Sequence, residues 1–132
     1  MSEDFEKGLA VFADVYGSEA AEGCRKGFES GDDFTALHIK FSMELPFGQV
    51  WTREDKLSRR DRSLAVLGMC IGQRSSEEIK YHTIMGVANG LTRAEIAEVF
   101  FSSIPYCGFP AANVAKVAIL AGFKVLEEQG KI

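Results

Sequence analysis

The sequence predicts an all-α, single-domain fold of about six or seven helices, and three observations carry that prediction. Apolar residues recur at helical spacing through almost the whole chain. Capping residues and Gly or Pro stops divide that pattern into helix-length pieces. No stretch alternates as a half-buried strand does. A length of 132 residues with 46% hydrophobic content suits one compact domain over 1–132, able to bury a core without staples.

Residues 3–16 carry Phe5, Leu9, Phe12 and Val15 on one face and end at Gly17, which predicts an amphipathic helix. Ser18 is placed to cap a second helix over 18–30, whose apolar content of Ala20, Ala21, Cys24 and Phe28 is thin and which Gly31 closes. Asp32 or Asp33 caps a third, running through Phe34, Leu37, His38, Phe41 and Leu45 until Pro46 stops it. Residues 46–57 show neither periodicity, so they read as an irregular connector anchored by Phe47 and Trp51.

Ser58 caps the next helix, which opens on Arg59-Arg60-Asp61-Arg62 and continues into the apolar run Leu64 to Ile71. That run is apolar on every side and asks for enclosure all round. Arginines in a first turn gain nothing from the helix dipole, so their placement calls for an anionic ligand or an acidic neighbour. Ser75 or Ser76 caps the following helix, with Glu78 available for a capping box with Ser75. It passes through Ile79, His82, Met85 and Val87 to the Asn89-Gly90 stop. Thr92 and Glu95 form a capping box for a helix that runs through Ile96, Val99, Phe100 and Ile104 to Pro105. The last helix, about 110–128, is interrupted only by Asn113, Lys116 and Lys124, more apolar than one monomer covers, which predicts a subunit interface.

A net charge of -4 and a pI near 5.2 supply no basic field for a phosphate backbone, so nucleic acid is not an expected partner. Cys24, Cys70 and Cys107 are odd in number and match neither a C-x-x-C pair nor a zinc spacing; no metal site is expected, and a reducing, cytoplasmic setting is. The acidic N-terminus is no signal peptide, and no stretch is read as a membrane span.

The chemistry concentrates in two places. Glu78 and His82 stand four residues apart in a helix, so both project from one face. A carboxylate beside an imidazole fixes its tautomer and tunes its pKa, as a general acid or base near neutral pH requires. The second is the first-turn cluster of Arg59, Arg60 and Arg62, which asks for an anionic ligand or an acidic neighbour.

Five ordered blocks carry a resemblance: Phe47-Gly48-Gln49-Val50-Trp51-Thr52-Arg53, Leu57-Ser58-Arg59-Arg60-Asp61-Arg62-Ser63-Leu64, Glu78-Ile79-Lys80-Tyr81-His82, Asn89-Gly90-Leu91-Thr92-Arg93-Ala94-Glu95-Ile96, and Tyr106-Cys107-Gly108-Phe109-Pro110-Ala111-Ala112-Asn113. Through them the chain resembles the carboxymuconolactone decarboxylase family, most strongly over 47–126, and its γ-carboxymuconolactone decarboxylase branch more than its alkylhydroperoxidase D branch. The resemblance implies an all-helical subunit assembled in threes or sixes. It implies a decarboxylase of a small carboxylated lactone such as 4-carboxymuconolactone. Such a substrate supplies its own electron sink, so no metal or organic cofactor is expected. It implies His82 as proton donor, Glu78 as the group that holds the imidazole protonated or in the right tautomer, Arg59 and Arg62 on substrate carboxylate, and Trp51 as pocket wall. The alkylhydroperoxidase branch needs a C-x-x-C-x-x-x-H motif, and with His82 on its histidine the thiol positions fall on Ser75 and Glu78. Neither forms a disulfide. The alternatives are a thiol-dependent antioxidant enzyme and a non-catalytic oligomeric binder of an acidic metabolite. His38 is expected to be a partly buried structural histidine.

Overall fold

Seven α-helices and one π-helix, with no strand, make up the computed structural model, which describes residues 1–132. Contacts gather them into two compact units, Met1–Ser58 and Arg59–Ile132.

The first unit holds α1 (Glu3–Tyr16), α2 (Ser18–Ser30), α3 (Asp33–Ser42) and the π-helix Met43–Val50. Ser2 caps α1 by accepting from the Phe5 amide at 3.1 Å, with Glu3, Asp4 and Glu6 in the favourable first turn. The face read from the sequence is the buried one, with Phe5 and Leu9 joining Met43 in a core that Phe12, Phe28, Ile39 and Phe47 flank. Two expectations change in this unit. Ser18 is the first residue of α2 and does not cap it; Gly17 occupies the cap position with φ 99°. Pro46 does not stop the third helix, and Phe47 is not in an irregular connector, because the chain widens into the π-helix at Met43. The Trp51 amide then donates to the Pro46 carbonyl, five residues back, at 2.8 Å. In a wider turn the proline lacks a donor without breaking the element, and only 51–58 is left as turns.

The second unit holds α4 (Arg59–Gly72), α5 (Ser76–Ala88), α6 (Arg93–Cys107) and α7 (Phe109–Glu128). Leu67, Ile71, Ile79, Met85, Ile96 and Leu126, one or two from each helix, are fully buried and form its core. The predicted Thr92–Glu95 capping box is present, with the Glu95 amide donating to Thr92 Oγ1 at 3.1 Å and the Thr92 amide to Glu95 Oε1 at 3.0 Å. Pro105 sits inside α6 and does not end it. It lies in the last turn, where the helix has little left to lose; the Ser102 and Ser103 hydroxyls donate to the Glu98 and Phe100 carbonyls at 2.8 and 2.6 Å. The apolar half of α4 is enclosed on one side only, since Met69 is 63% exposed. At 20 residues α7 is long and apolar enough to cross a bilayer by length and composition, contrary to the sequence reading, yet eight of its residues are buried as those of a core helix are. Its outer face leaves Val117 and Leu120 exposed.

Candidate active site

Four of the five candidate residues lie on α4 and α5. The turn 73–75 joins these helices, and Arg74 enters it with φ 56°. The Ser75 amide donates to the Cys70 carbonyl at 3.2 Å and the Arg74 amide to the Ile71 carbonyl at 2.9 Å, the paired bonds of a Schellman motif with arginine where glycine is usual. Because Ser75 finishes α4 in this way, its backbone (φ -88°, ψ 86°) is not that of an extended N-cap, and the predicted Ser75–Glu78 capping box does not form. Glu78 is turned instead toward His82.

The Glu78 Oε2 to His82 Nε2 distance is 3.8 Å, with the histidine side chain 14% exposed and the glutamate 58%. This is an electrostatic pairing across one helical turn. His82 Nδ1 is buried. Burial pushes the His82 pKa below its usual value, and the Glu78 charge opposes that shift without cancelling it. The resting imidazole is therefore neutral at pH 7. Of the two roles expected for Glu78, fixing the tautomer is the one a neutral ring calls on.

One hydrogen bond and one electrostatic influence show which face of α5 meets α4. Asn89 Nδ2 donates to Ser63 Oγ at 3.0 Å. Near the other end, the Cys70 thiol is pushed up by burial and further by the Glu78 charge, so Glu78 lies within electrostatic reach of α4. Glu78, His82 and Asn89, four and seven residues apart, fall within about 40° on one face, and His82 stands between the two that reach α4. The opposing face of α4 carries Arg59, Arg62, Ser63, Val66 and Cys70 at the same periodicity. His82 and Arg62 are then separated by about 10 Å of helix axis.

Arg60 pairs with Glu95 of α6 and with Asp61 at 3.3 Å, so an acidic neighbour accounts for it. Arg59 and Arg62 are half-buried with both Nε atoms fully enclosed. Their stems pack along the fold, and each residue also has a partner within it. Trp51 belongs to the first unit, where it ends the π-helix and is 3% exposed. No group of three or more His, Cys, Asp and Glu side chains has a metal-holding arrangement. All three cysteines are free thiols, and burial also raises the Cys24 pKa. His38 is exposed on α3 and not partly buried as expected, because α3 keeps no buried residue. Sequence reasoning gave Ser63 and Asn89 no role at the site; for Asn89 the signal was its place seven residues from His82 on the same helix face.

Comparison with known proteins agrees with this all-α class. The model of the carboxymuconolactone decarboxylase family matches residues 38–121, well over half of the chain. Nitrosuccinic acid decarboxylase of Metarhizium robertsii is 32% identical over 127 residues, covering 96% of this chain and 86% of its own length. The 4-carboxymuconolactone decarboxylase of Acinetobacter baylyi is 28% identical over 111 residues, covering 84% of this chain and 80% of its own. The chain belongs to the carboxymuconolactone decarboxylase family. Both relatives are named decarboxylases, which supports carboxy-lyase activity here.

Proposed function

We propose that this chain decarboxylates a compact dicarboxylic acid carrying its own electron-withdrawing group, with His82 supplying the proton that replaces CO2. The observation that carries the reading is the Glu78–His82 pair on the face of α5 that meets the arginine-bearing face of α4. The substrates in the two relatives' names have a chemistry in common. In a carboxymuconolactone the conjugated lactone carbonyl can take the electron pair of the breaking C–C bond; in nitrosuccinic acid the nitro group can. Each also keeps a second carboxylate after the first has left. Such a reaction asks the protein for charge placement and one proton.

Arg59 and Arg62 hold the acid by its retained carboxylate. A bound dianion places negative charge beside a buried neutral imidazole and raises its pKa, so His82 takes up a proton with the substrate. The C–C bond to the leaving carboxylate breaks, its electron pair passes into the sink, and CO2 departs. His82 then gives its proton to the carbon that CO2 left. Glu78, close enough to favour the imidazolium and exposed enough not to hold it permanently, keeps the ring poised between the two states.

The same reading takes the working form to be a homo-oligomer of three or six subunits, a state supported by the exposed apolar residues Val117 and Leu120 of α7 and Phe34 and Phe41 of α3. A thiol mechanism at Cys70 is disfavoured, because burial and Glu78 both oppose a thiolate there. The test is incubation of the purified chain with 4-carboxymuconolactone and, separately, with nitrosuccinic acid, following CO2 release. Turnover of either supports the class and identifies the sink. Binding of both without CO2 release would instead make the chain a non-catalytic binder.

A further inference from the structure

We propose that Asn89 is a positioning residue: its hydrogen bond to Ser63 latches the end of α5 to the arginine-bearing turn of α4 and so sets where Arg59 and Arg62 stand relative to His82. The latch is a structural claim; its effect on substrate rests on the reading of the two arginines given above.

The residue types at both ends argue for the latch. Asn often closes a helix because it tolerates positive φ, but here φ is -85° at Asn89, and the following Gly90 takes the left-handed position at 104°. The backbone at residue 89 therefore has no need of asparagine. Its amide donates to the Met85 carbonyl, and the Gly90 and Leu91 amides close the helix on Val87 and Gly86 at 3.0 and 2.9 Å. Those bonds hold residue 89 in a fixed place and leave its side chain to reach α4. Ser63 is equally specific. The Ser30, Ser42, Thr83 and Ser102 hydroxyls each donate to the carbonyl one turn back in their own helix. Ser63 engages α5 instead, and it is fully buried. A hydroxyl so enclosed needs a partner, and Asn89 Nδ2 is one at 3.0 Å.

The consequence follows from helix geometry. Ser63 adjoins Arg62 and lies one turn beyond Arg59, so fixing Ser63 fixes the rotation and height of both guanidinium stems. Asn89 lies two turns from His82 on the same face of α5. One hydrogen bond thus ties the anion-holding residues on one helix to the proton carrier on the other. A slip between the helices would move the arginines relative to the imidazole without touching either.

The experiment uses the full chain and the variants Asn89→Ala, Ser63→Ala, their double, and Arg62→Ala. Two readouts are taken: the Arg59 and Arg62 side-chain NMR signals, and KM and kcat for 4-carboxymuconolactone or nitrosuccinic acid, whichever is turned over. The latch predicts that each single variant shifts and broadens the arginine signals and raises KM by about tenfold with kcat within about twofold. It also predicts that the double variant does no more than either single one. Lowered thermal stability with unmoved arginine signals would reduce the pair to ordinary packing and overturn the proposal; so would additive effects in the double variant. Ser63→Ala removes a single oxygen and serves if Asn89→Ala does not fold. Should Arg62→Ala leave KM unchanged while Asn89→Ala moves the arginine signals, the latch stands and the substrate-binding reading of the arginines falls.

Discussion

Replacing Glu78 with Gln removes one charge and almost no volume, which makes it a direct probe of what the carboxylate does to His82. At 3.8 Å a full charge pair is worth about 1 kcal/mol in a water-like dielectric. Burial of the imidazole strengthens the pairing, while the 58% exposure of Glu78 returns much of that gain to solvent, so about 1 kcal/mol is the appropriate figure. Glu78→Gln should weaken proton binding at His82 by roughly fivefold. Burial already lowers this pKa and Glu78 opposes the shift, so the substitution moves the titration further acid. The chain has two histidines, and a His38→Gln variant identifies the His82 resonance in an NMR titration. The alkaline limb of the kcat profile, where the proton donor is lost, should move acid with it, and kcat at pH 7 should fall several-fold. A midpoint that stays in place or moves alkaline would refute the electrostatic account of the pair.

Three other outcomes are expected. Because the folded pKa of His82 lies below the unfolded value of about 6.5, the unfolded chain binds the extra proton between the two, so stability falls as pH drops through that window. Urea melts at pH 5 and 7 should show that slope, flattened in His82→Gln. A Cβ at Gly122 of α7 would lie 3.0 Å from the Lys80 carbonyl oxygen and from Thr83 Cβ, so Gly122→Ala should cost about 1–3 kcal/mol in the same melts and disturb the helix that carries Glu78 and His82. Arg74→Gly should raise stability by about 0.5–1 kcal/mol, since it relieves a left-handed arginine in the α4–α5 turn.

Where the sequence was legible, a single local rule decided the outcome. The apolar spacing of α1 and the Thr92–Glu95 box concern residues within a turn or two of each other, and both appear as read. Where reading failed, two rules competed for the same residue. Ser75 and Glu78 have the right types and spacing for a capping box, but Ser75 is already committed to closing α4. Pro46 and Pro105 carry the usual stop signal, and a widened turn in one case and a last turn in the other absorb the missing donor. Glu78 and His82 were legible as a pair because four residues on a helix fix their neighbourhood. The Asn89–Ser63 contact spans 26 residues, and no local pattern encodes it. The balance of forces on His82 was hidden for a similar reason, since its burial depends on how α5 packs and not on the residues beside it in sequence.

The central claim is that His82 carries the proton that replaces CO2. Its most direct test is the turnover of His82→Ala on whichever acid the wild-type chain decarboxylates. The account predicts that kcat falls by about 10²- to 10⁴-fold while helical content and KM stay close to wild type. A His82→Ala variant that decarboxylates at the wild-type rate would contradict it.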